Sequence, residues 1–352
     1  MDPLNRRDFV KKATVAGAGL VLSPALGGRP LGQATRESDP WRIYFFSKHL
    51  QFLDYDEAAD ACAAAGVDGA DLTVRPGGHV LPENVERDLP RAVKAFRDAG
   101  LRVEMMASGI TDPDDPLTEK VLQVASDTGI KFYRLGYYSY DPGLSITKNL
   151  EEIKVKLSGL ARLNEKYRIH GAYQNHAGTN FGAPVWDLWE VIRNMDPAYI
   201  GCQYDIRHAT VEGSNAWPLG LKLLKDHIRC LVIKDFKWGE QDGKSLEVNV
   251  PVGEGVVDFK AYFKLVNELG ILGPITLHLE YPMFPEGEMT VARKKEGPGC
   301  IKKLPLIHEP WPTRLYQDHR GSRRIQPGKQ IRGCPGIRPL TSSGSRETCH
   351  HS

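Results

Sequence analysis

The sequence predicts an α/β protein, a single-domain (β/α)8 TIM barrel. Three observations carry this. Short apolar runs alternate with stretches of helical period from Trp41 to about Pro282, giving eight candidate strands. That span is close to the roughly 250 residues such a barrel needs. No GxGxxG follows the first apolar run, so the phosphate fingerprint of the main alternative, a doubly wound open sheet, is missing.

The first strand is WRIYFFSKHL from Trp41, followed by the helical stretch DEAADACAAAG. The second is VDGADLTV from Val67, followed by LPRAVKAFRDAG; the third is LRVEMMASG from Leu101, followed by PLTEKVLQVASDTG. IKFYRLGYY from Ile130, GAYQNH from Gly171, IGCQYDIRH from Ile200 and IRCLVIKDF from Ile228 supply strands four to seven. After VDFKAYFKLVNELG comes the eighth, ITLHLEY from Ile275. Helical stretches end at Gly66, Gly100 and Gly270, where a glycine accepts the positive φ of a helix C-terminus. Strand–helix alternation implies a parallel sheet.

The chain has 352 residues, 41% hydrophobic and 26% charged, with net charge +2, enough for one large core. The charge is unevenly spread. Residues 291–352 hold 13 Lys and Arg against 4 Asp and Glu, a net of +9, which leaves the remainder at −7. An acidic body gives no support for nucleic-acid binding. Residues 1–34 read as an export leader: NRRDFVKK, then the uncharged ATVAGAGLVLSPAL, too short to span a bilayer. The pair Arg6-Arg7 is similar to a twin-arginine signal, with cleavage expected after Ala25 or Ala34 and no membrane attachment afterwards. Residues 35–288 form the expected barrel. Residues 289–352 read as a basic, Pro/Gly-rich disordered tail, standing where a barrel would place its last helix. Cys62, Cys202 and Cys230 lie in apolar or alanine-rich stretches and read as buried free thiols, with no CxxC and no zinc spacing.

Polar residues collect at the strand ends, where a barrel of this kind carries its active site. Strand two ends in Asp71, Thr73 and Arg75, before a loop with His79. Strand five ends in Gln174, Asn175 and His176, strand six in Asp205, Arg207 and His208, strand seven in Lys234 and Asp235, and strand eight in His278, Glu280 and Tyr281. Residues two apart share a face. Gln174 with His176, Gln203 with Asp205, Val232 with Lys234, and His278 with Glu280 therefore aim at one volume. Arg75 and His79 are placed to grip anionic or hydroxyl groups, and Trp217 or Trp238 to stack on a sugar ring.

The motifs GADLTVRPGGHVLPENV, YQNHAGT, QYDIRHA, VIKDF and HLEY resemble the sugar phosphate isomerase/epimerase group of the xylose-isomerase-like barrels, over about Trp41 to Tyr281. The resemblance implies metal-assisted proton transfer on a sugar or polyol. It also implies a divalent cation held by a Glu of strand five, an Asp of strand six, a His of strand seven and a Glu of strand eight. Asp205 and Glu280 match that pattern. Gln174 stands where a Glu is implied and Val232 where a His is implied. His208, three residues after Asp205, matches a substrate contact.

The implied metal set is thus Asp205, Glu280, Gln174 and His176, for Mn²⁺, Mg²⁺ or Zn²⁺. The acid/base set is Glu280, Lys234 and His176. The substrate contacts are Arg75, His79, His208, Asp71, Trp217 and Trp238. A neutral Gln174 defeats a two-glutamate scheme, leaving Glu280 as base with His176 or Lys234 as acid. The leading expectation is an exported sugar isomerase or epimerase with a small carbohydrate substrate. A keto-sugar lyase or dehydratase, and a non-catalytic sugar-binding protein, are the alternatives. Endonuclease chemistry, which related barrels perform at a larger trinuclear site, is not expected from so few His and Glu.

Overall fold

The computed structural model describes residues 41–281. The expectations of an export leader, of a disordered tail and of a missing last helix fall outside the described residues. Within them the expected barrel is observed, with every expected strand in the wall. The strands are β1 (Ile43–Phe46), β2 (Gly69–Val74), β3 (Arg102–Ser108), β4 (Phe132–Arg134), β5 (His170–Gln174), β6 (Ile200–Asp205), β7 (Ile228–Ile233) and β10 (Ile275–Leu277). They close in the order β1-β10-β7-β6-β5-β4-β3-β2, all parallel. The seam joins first strand to last, Ile43 opposite Ile275.

Helices cover the outside: α1 (Tyr55–Ala65), α2 (Val85–Asp98), α3 (Pro116–Asp127), α4 (Ile146–Tyr167), α5 (Val185–Ile192), α6 (Ile206–Gly213), α7 (Trp217–Leu224) and α8 (Phe259–Glu268). Local chemistry sets their ends. Asp54 and Glu57 form a capping box at the start of α1, and Gly66 ends it in the left-handed region at φ 71°. Asp115, Ser145 and Asp258 cap α3, α4 and α8 by accepting backbone N–H bonds. None of the described helices is long and apolar enough to cross a membrane.

The main core lies between the strands' outer faces and the helices, with Leu72, Tyr204 and Ile233 meeting residues such as Phe96, Leu160 and Tyr262. A small second cluster, Tyr44, Met105, Ala172 and Cys230, packs inside the barrel. Gly69 is required here, since a Cβ would stand 2.7 Å from the Tyr44 ring. Cys62, Cys202 and Cys230 are buried free thiols, as expected. Toward the C-terminal ends of the strands the interior turns polar, with Asp71, Arg134, Gln174, Asp205, Lys234 and His278 all buried.

One element was not foreseen. Directly after Lys234 the chain leaves the wall as an antiparallel hairpin, β8 (Asp235–Gln241) with β9 (Lys244–Val250). Its turn is Asp242-Gly243, with φ 53° and 72°. That Asp-Gly pair matches the twist of a two-residue hairpin. The Asp235 carboxylate accepts N–H bonds from Gly253, Gly255 and Val257, fastening the loop that returns from the hairpin. Gly255 has to be glycine, because a Cβ there would lie 2.0 Å from Asp235 Oδ1.

Candidate active site

The amides ending β5 serve Asp205. Asn175 Oδ1 accepts from the Asp205 backbone N–H at 2.7 Å, and Asn175 Nδ2 donates to the Asp205 carbonyl at 3.0 Å. This two-way clamp fixes the backbone on which the Asp205 carboxylate stands. The carboxylate is fully buried, and its Oδ1 caps α6 by accepting from His208 N at 3.1 Å. Its Oδ2 accepts from Gln174 Nε2 at 2.7 Å and from the Lys234 ammonium at 3.2 Å.

Gln174 is held in one orientation. Its Oε1 accepts from Tyr137 OH at 2.7 Å and from Arg134 Nη1 at 3.2 Å. Flipping the amide would set NH₂ against the guanidinium and C=O against the carboxylate. Lys234 is 4% exposed, and burial lowers its pKa while Asp205 and Glu280 raise it. One of its three N–H donors is spent on Asp205, and no other bond to the ammonium is made among the described residues. Two donors are left for a ligand oxygen.

On the other side of Lys234, Glu280 meets Lys48 Nζ at 3.1 Å and His278 Nδ1 at 3.7 Å. The His278 imidazole first, then the Lys234 ammonium, hold the Glu280 carboxyl well below the usual carboxylate range. Burial pushes His278 down to about 3, so that ring is neutral at pH 7. It stacks on Phe46 at 4.1 Å. His176 is exposed at the rim, with its ring 3.8 Å from that of His208. His176 Nδ1 donates to the Ala177 carbonyl at 2.9 Å, so Nε2 carries the lone pair. Desolvation and then Lys234 lower its pKa, so it too is a neutral base at pH 7. His208 Nδ1 accepts from Arg207 Nη1 at 3.1 Å, leaving Nε2–H directed toward Asp205 Oδ2 at 3.7 Å.

Asp71 lies below this layer, 1% exposed, with Oδ1 unpartnered. Burial pushes its pKa from the ordinary 3.8 to about 6, against the pull of Thr276, Arg134 and Arg75. Between about pH 4 and 6 the folded protein keeps a proton that the unfolded chain has lost. Stability contributed by this group is therefore full in acid and is lost as pH rises through about 6. Asp71→Asn is expected to stabilise the fold at pH 7.5 by about 3 kcal/mol, two units at 1.36 kcal/mol each. The gain should vanish near pH 4; thermal melts across that range check it, and equal gains at both pH values would refute the assignment.

Other expected contacts fall outside the mouth. Trp217 opens α7, half-buried, with its ring 6.0 Å from Tyr262 and its carbonyl accepting from Tyr204 OH. It belongs to the layer between wall and helices, because Tyr204 points outward from β6. Trp238 sits on the hairpin, 54% exposed, against Phe236. His79 is tied into its loop by the Leu50 carbonyl at 3.0 Å and packs on Tyr55. Arg75 does reach the mouth, 5.8 Å from the Phe46 ring. Sequence reasoning passed over Arg134, Tyr137, Phe46 and Lys48. The signal for the first two was an arginine and a tyrosine three residues apart at the end of strand four.

The donor set does not fit a resident divalent cation. Among the described residues no three His, Cys, Asp or Glu side chains converge on a common point. Asp205, Glu280, Gln174 and His176 do not act as one ligand set. Gln174 turns its NH₂ to Asp205 and spends its carbonyl on Arg134 and Tyr137, His176 stacks on His208, and Val232 has no donor. A cation on Asp205 Oδ2 would also meet the Lys234 ammonium.

Comparison with known proteins agrees with this architecture. Residues 59–303 match the family model described as xylose isomerase-like TIM barrel. No functionally curated protein matches the chain. Among solved structures, the IOLI protein with a bound zinc atom superposes with TM-score 0.58 at 17% identity, over 75% of this chain and 96% of that one. D-allulose 3-epimerase from Methylomonas sp., in complex with D-allulose, gives TM-score 0.54 at 14% identity, over 75% of this chain and 95% of its own. The probable 3-DHS dehydratase AsbF from Bacillus anthracis gives TM-score 0.54 at 13% identity, over 74% and 97%. At such identities the likeness is one of fold. The family model spans most of the chain, and its barrel is the one observed: the chain belongs to the xylose isomerase-like TIM barrel family.

Proposed function

We propose that this protein is an isomerase or epimerase of a sugar or sugar derivative, acting by proton transfer at a carbon next to a carbonyl. The observation that carries this is the buried Lys234 ammonium, paired to Asp205 and with no other hydrogen-bond partner among the described residues. A carbonyl oxygen placed there gains negative charge as the neighbouring C–H proton leaves, and the ammonium stabilises it. Asp205 and Gln174 orient Lys234; they do not touch the reacting atoms.

Glu280 takes the proton. The charges around it make the carboxylate a weak base in the free protein. The Lys48 contact is solvent-exposed and is the one a substrate can displace. For epimerisation His176 Nε2, bare in the free protein, first takes a proton from solvent and then delivers it to the carbon from the opposite side, while Glu280 gives its proton up to solvent. Loss of a β-hydroxyl from the same enolate would make the enzyme a dehydratase. The first step is common to both outcomes, and the structural neighbours include both types. Support for export rests on Arg6-Arg7 and the short apolar run after it; we place the reaction outside the cytoplasm on that basis.

The test is solvent-deuterium exchange. Incubated in D₂O with a panel of ketoses, keto-glycosides and sugar acids, the protein is expected to exchange a C–H next to the carbonyl. It should do so equally in EDTA, with less than stoichiometric metal in the purified protein. Absence of exchange across the panel would refute the enzyme reading. Exchange abolished by EDTA and restored by Mn²⁺ or Zn²⁺ would refute the metal-free arrangement.

A further inference from the structure

Among the described residues the mouth holds buried guanidinium groups that no carboxylate contacts. Arg134 and Arg207 are 7% and 6% exposed, and the Nε of each has no hydrogen-bond partner. Arg75 is half-buried beside Arg134. Among the described residues none of the three makes an ion pair. Burying a charge without a partner costs several kcal/mol, so such groups are normally matched.

The geometry gathers two of them at one place. Arg75 and Arg134 carry their guanidinium carbons 5.8 and 5.7 Å from the Phe46 ring centroid. His278 stacks on that ring at 4.1 Å and covers one face. Both guanidiniums therefore share what remains of the ring, and each is repelled by the other. The repulsion registers on Arg75, whose proton is held less firmly than usual, through burial first and Arg134 second. Asp71 and Glu280 act on Arg75 from a distance without contacting it. Around the mouth Arg75, Arg134, Arg207, Lys48 and Lys234 outnumber the carboxylates Asp71, Asp205 and Glu280.

Two adjacent guanidiniums form a fork for an oxyanion, which binds both and cancels their repulsion. We propose that the substrate carries an anionic group, a carboxylate or a phosphate ester, and that Arg75 and Arg134 over Phe46 anchor it. This rests on the reading of the mouth as a sugar site and specifies the class of sugar. The anchored group would sit on the β2–β4 side, leaving the carbonyl to Lys234, which directly follows β7. Gln174 links the two halves, bonded to Arg134 through Oε1 and to Asp205 through Nε2.

Binding tests this without turnover. At fixed ionic strength, glucuronate, glucose 6-phosphate and glucose are titrated into the full chain by calorimetry and thermal shift. One or both anionic sugars are expected to bind at least tenfold more tightly than glucose, and which one does identifies the group. Arg75→Gln is expected to lose at least tenfold in that affinity while its melting temperature without ligand stays within a few degrees. Arg75→Lys, keeping the charge without the fork, should recover part of it. Equal binding of glucose and the anionic sugars, binding of none of the three, or full affinity in Arg75→Gln would overturn the proposal. Anion binding without any deuterium exchange would leave it standing and remove the enzymatic reading. Exchange on a neutral keto-sugar that phosphate and glucuronate do not inhibit would do the reverse.

Discussion

Lys234→Met is expected to cost at least a hundredfold in kcat, and the protein about 3–5 kcal/mol of stability. Both losses follow from one contact. The ammonium lies 3.2 Å from a fully buried Asp205 carboxylate. Methionine fills the volume but leaves that carboxylate, among the described residues, with no full positive charge in contact. It is then answered by the Gln174 amide and the His208 backbone N–H, with the neutral His208 ring 3.7 Å away. A fall in activity alone would therefore be ambiguous. The double variant Lys234→Met/Asp205→Asn separates the two effects. Removing both charges should restore most of the stability, because no unpaired ion stays buried. It should restore none of the activity, because no cation faces the substrate carbonyl. Stability measured by denaturant unfolding and turnover measured on the same preparations decide the matter. Recovery of both would make Lys234 a structural ion-pair partner and nothing more.

Glu280→Gln is expected to lower turnover by about 10²–10⁴ with the fold retained, the range for a positioned general base. The structural cost should be small. Glu280 lies at the mouth, where its Lys48 partner is exposed, and glutamine keeps its shape beside His278, 3.7 Å away. Substrate or anion affinity should survive, so the loss should fall on kcat and not on KM. Wild-type turnover in Glu280→Gln would remove this residue as the base and transfer that role to His176.

How much of this was legible beforehand depends on what each residue faces. The barrel strands could be read because a strand buried on both faces is a nearly continuous apolar run. IYFF and CLVI are such runs, while ADLTV and GCQYD carry their polar residues on one alternating face. The two-residue alternation also brought Gln174, Asp205 and Lys234 to one side before any coordinates. It could not say that Gln174 would turn its amide nitrogen to Asp205, since that orientation is imposed by Arg134 and Tyr137 from a neighbouring strand. Arg134 itself hides in FYRLGYY, where an arginine after two aromatics reads equally as a surface residue. The hairpin from Asp235 to Val250 escaped because its exposed residues form no apolar run, although Asp242-Gly243 between alternating residues was a usable sign. Trp217 reads as a mouth residue because it lies near the mouth loops and tryptophan faces commonly stack on sugars; in the structure its ring packs on Tyr262 in the helix layer.

The residue after Lys234 is the first of the hairpin, and the carboxylate of Asp235 ties down the loop at the far end. The ammonium is thus mounted at the root of a projecting arm. That root is rigid, because Asp235 and Phe236 are buried and the Asp235 carboxylate is tied by the N–H groups of Gly253, Gly255 and Val257. The arm's exposed far end can therefore vary in sequence without shifting the ammonium at its base.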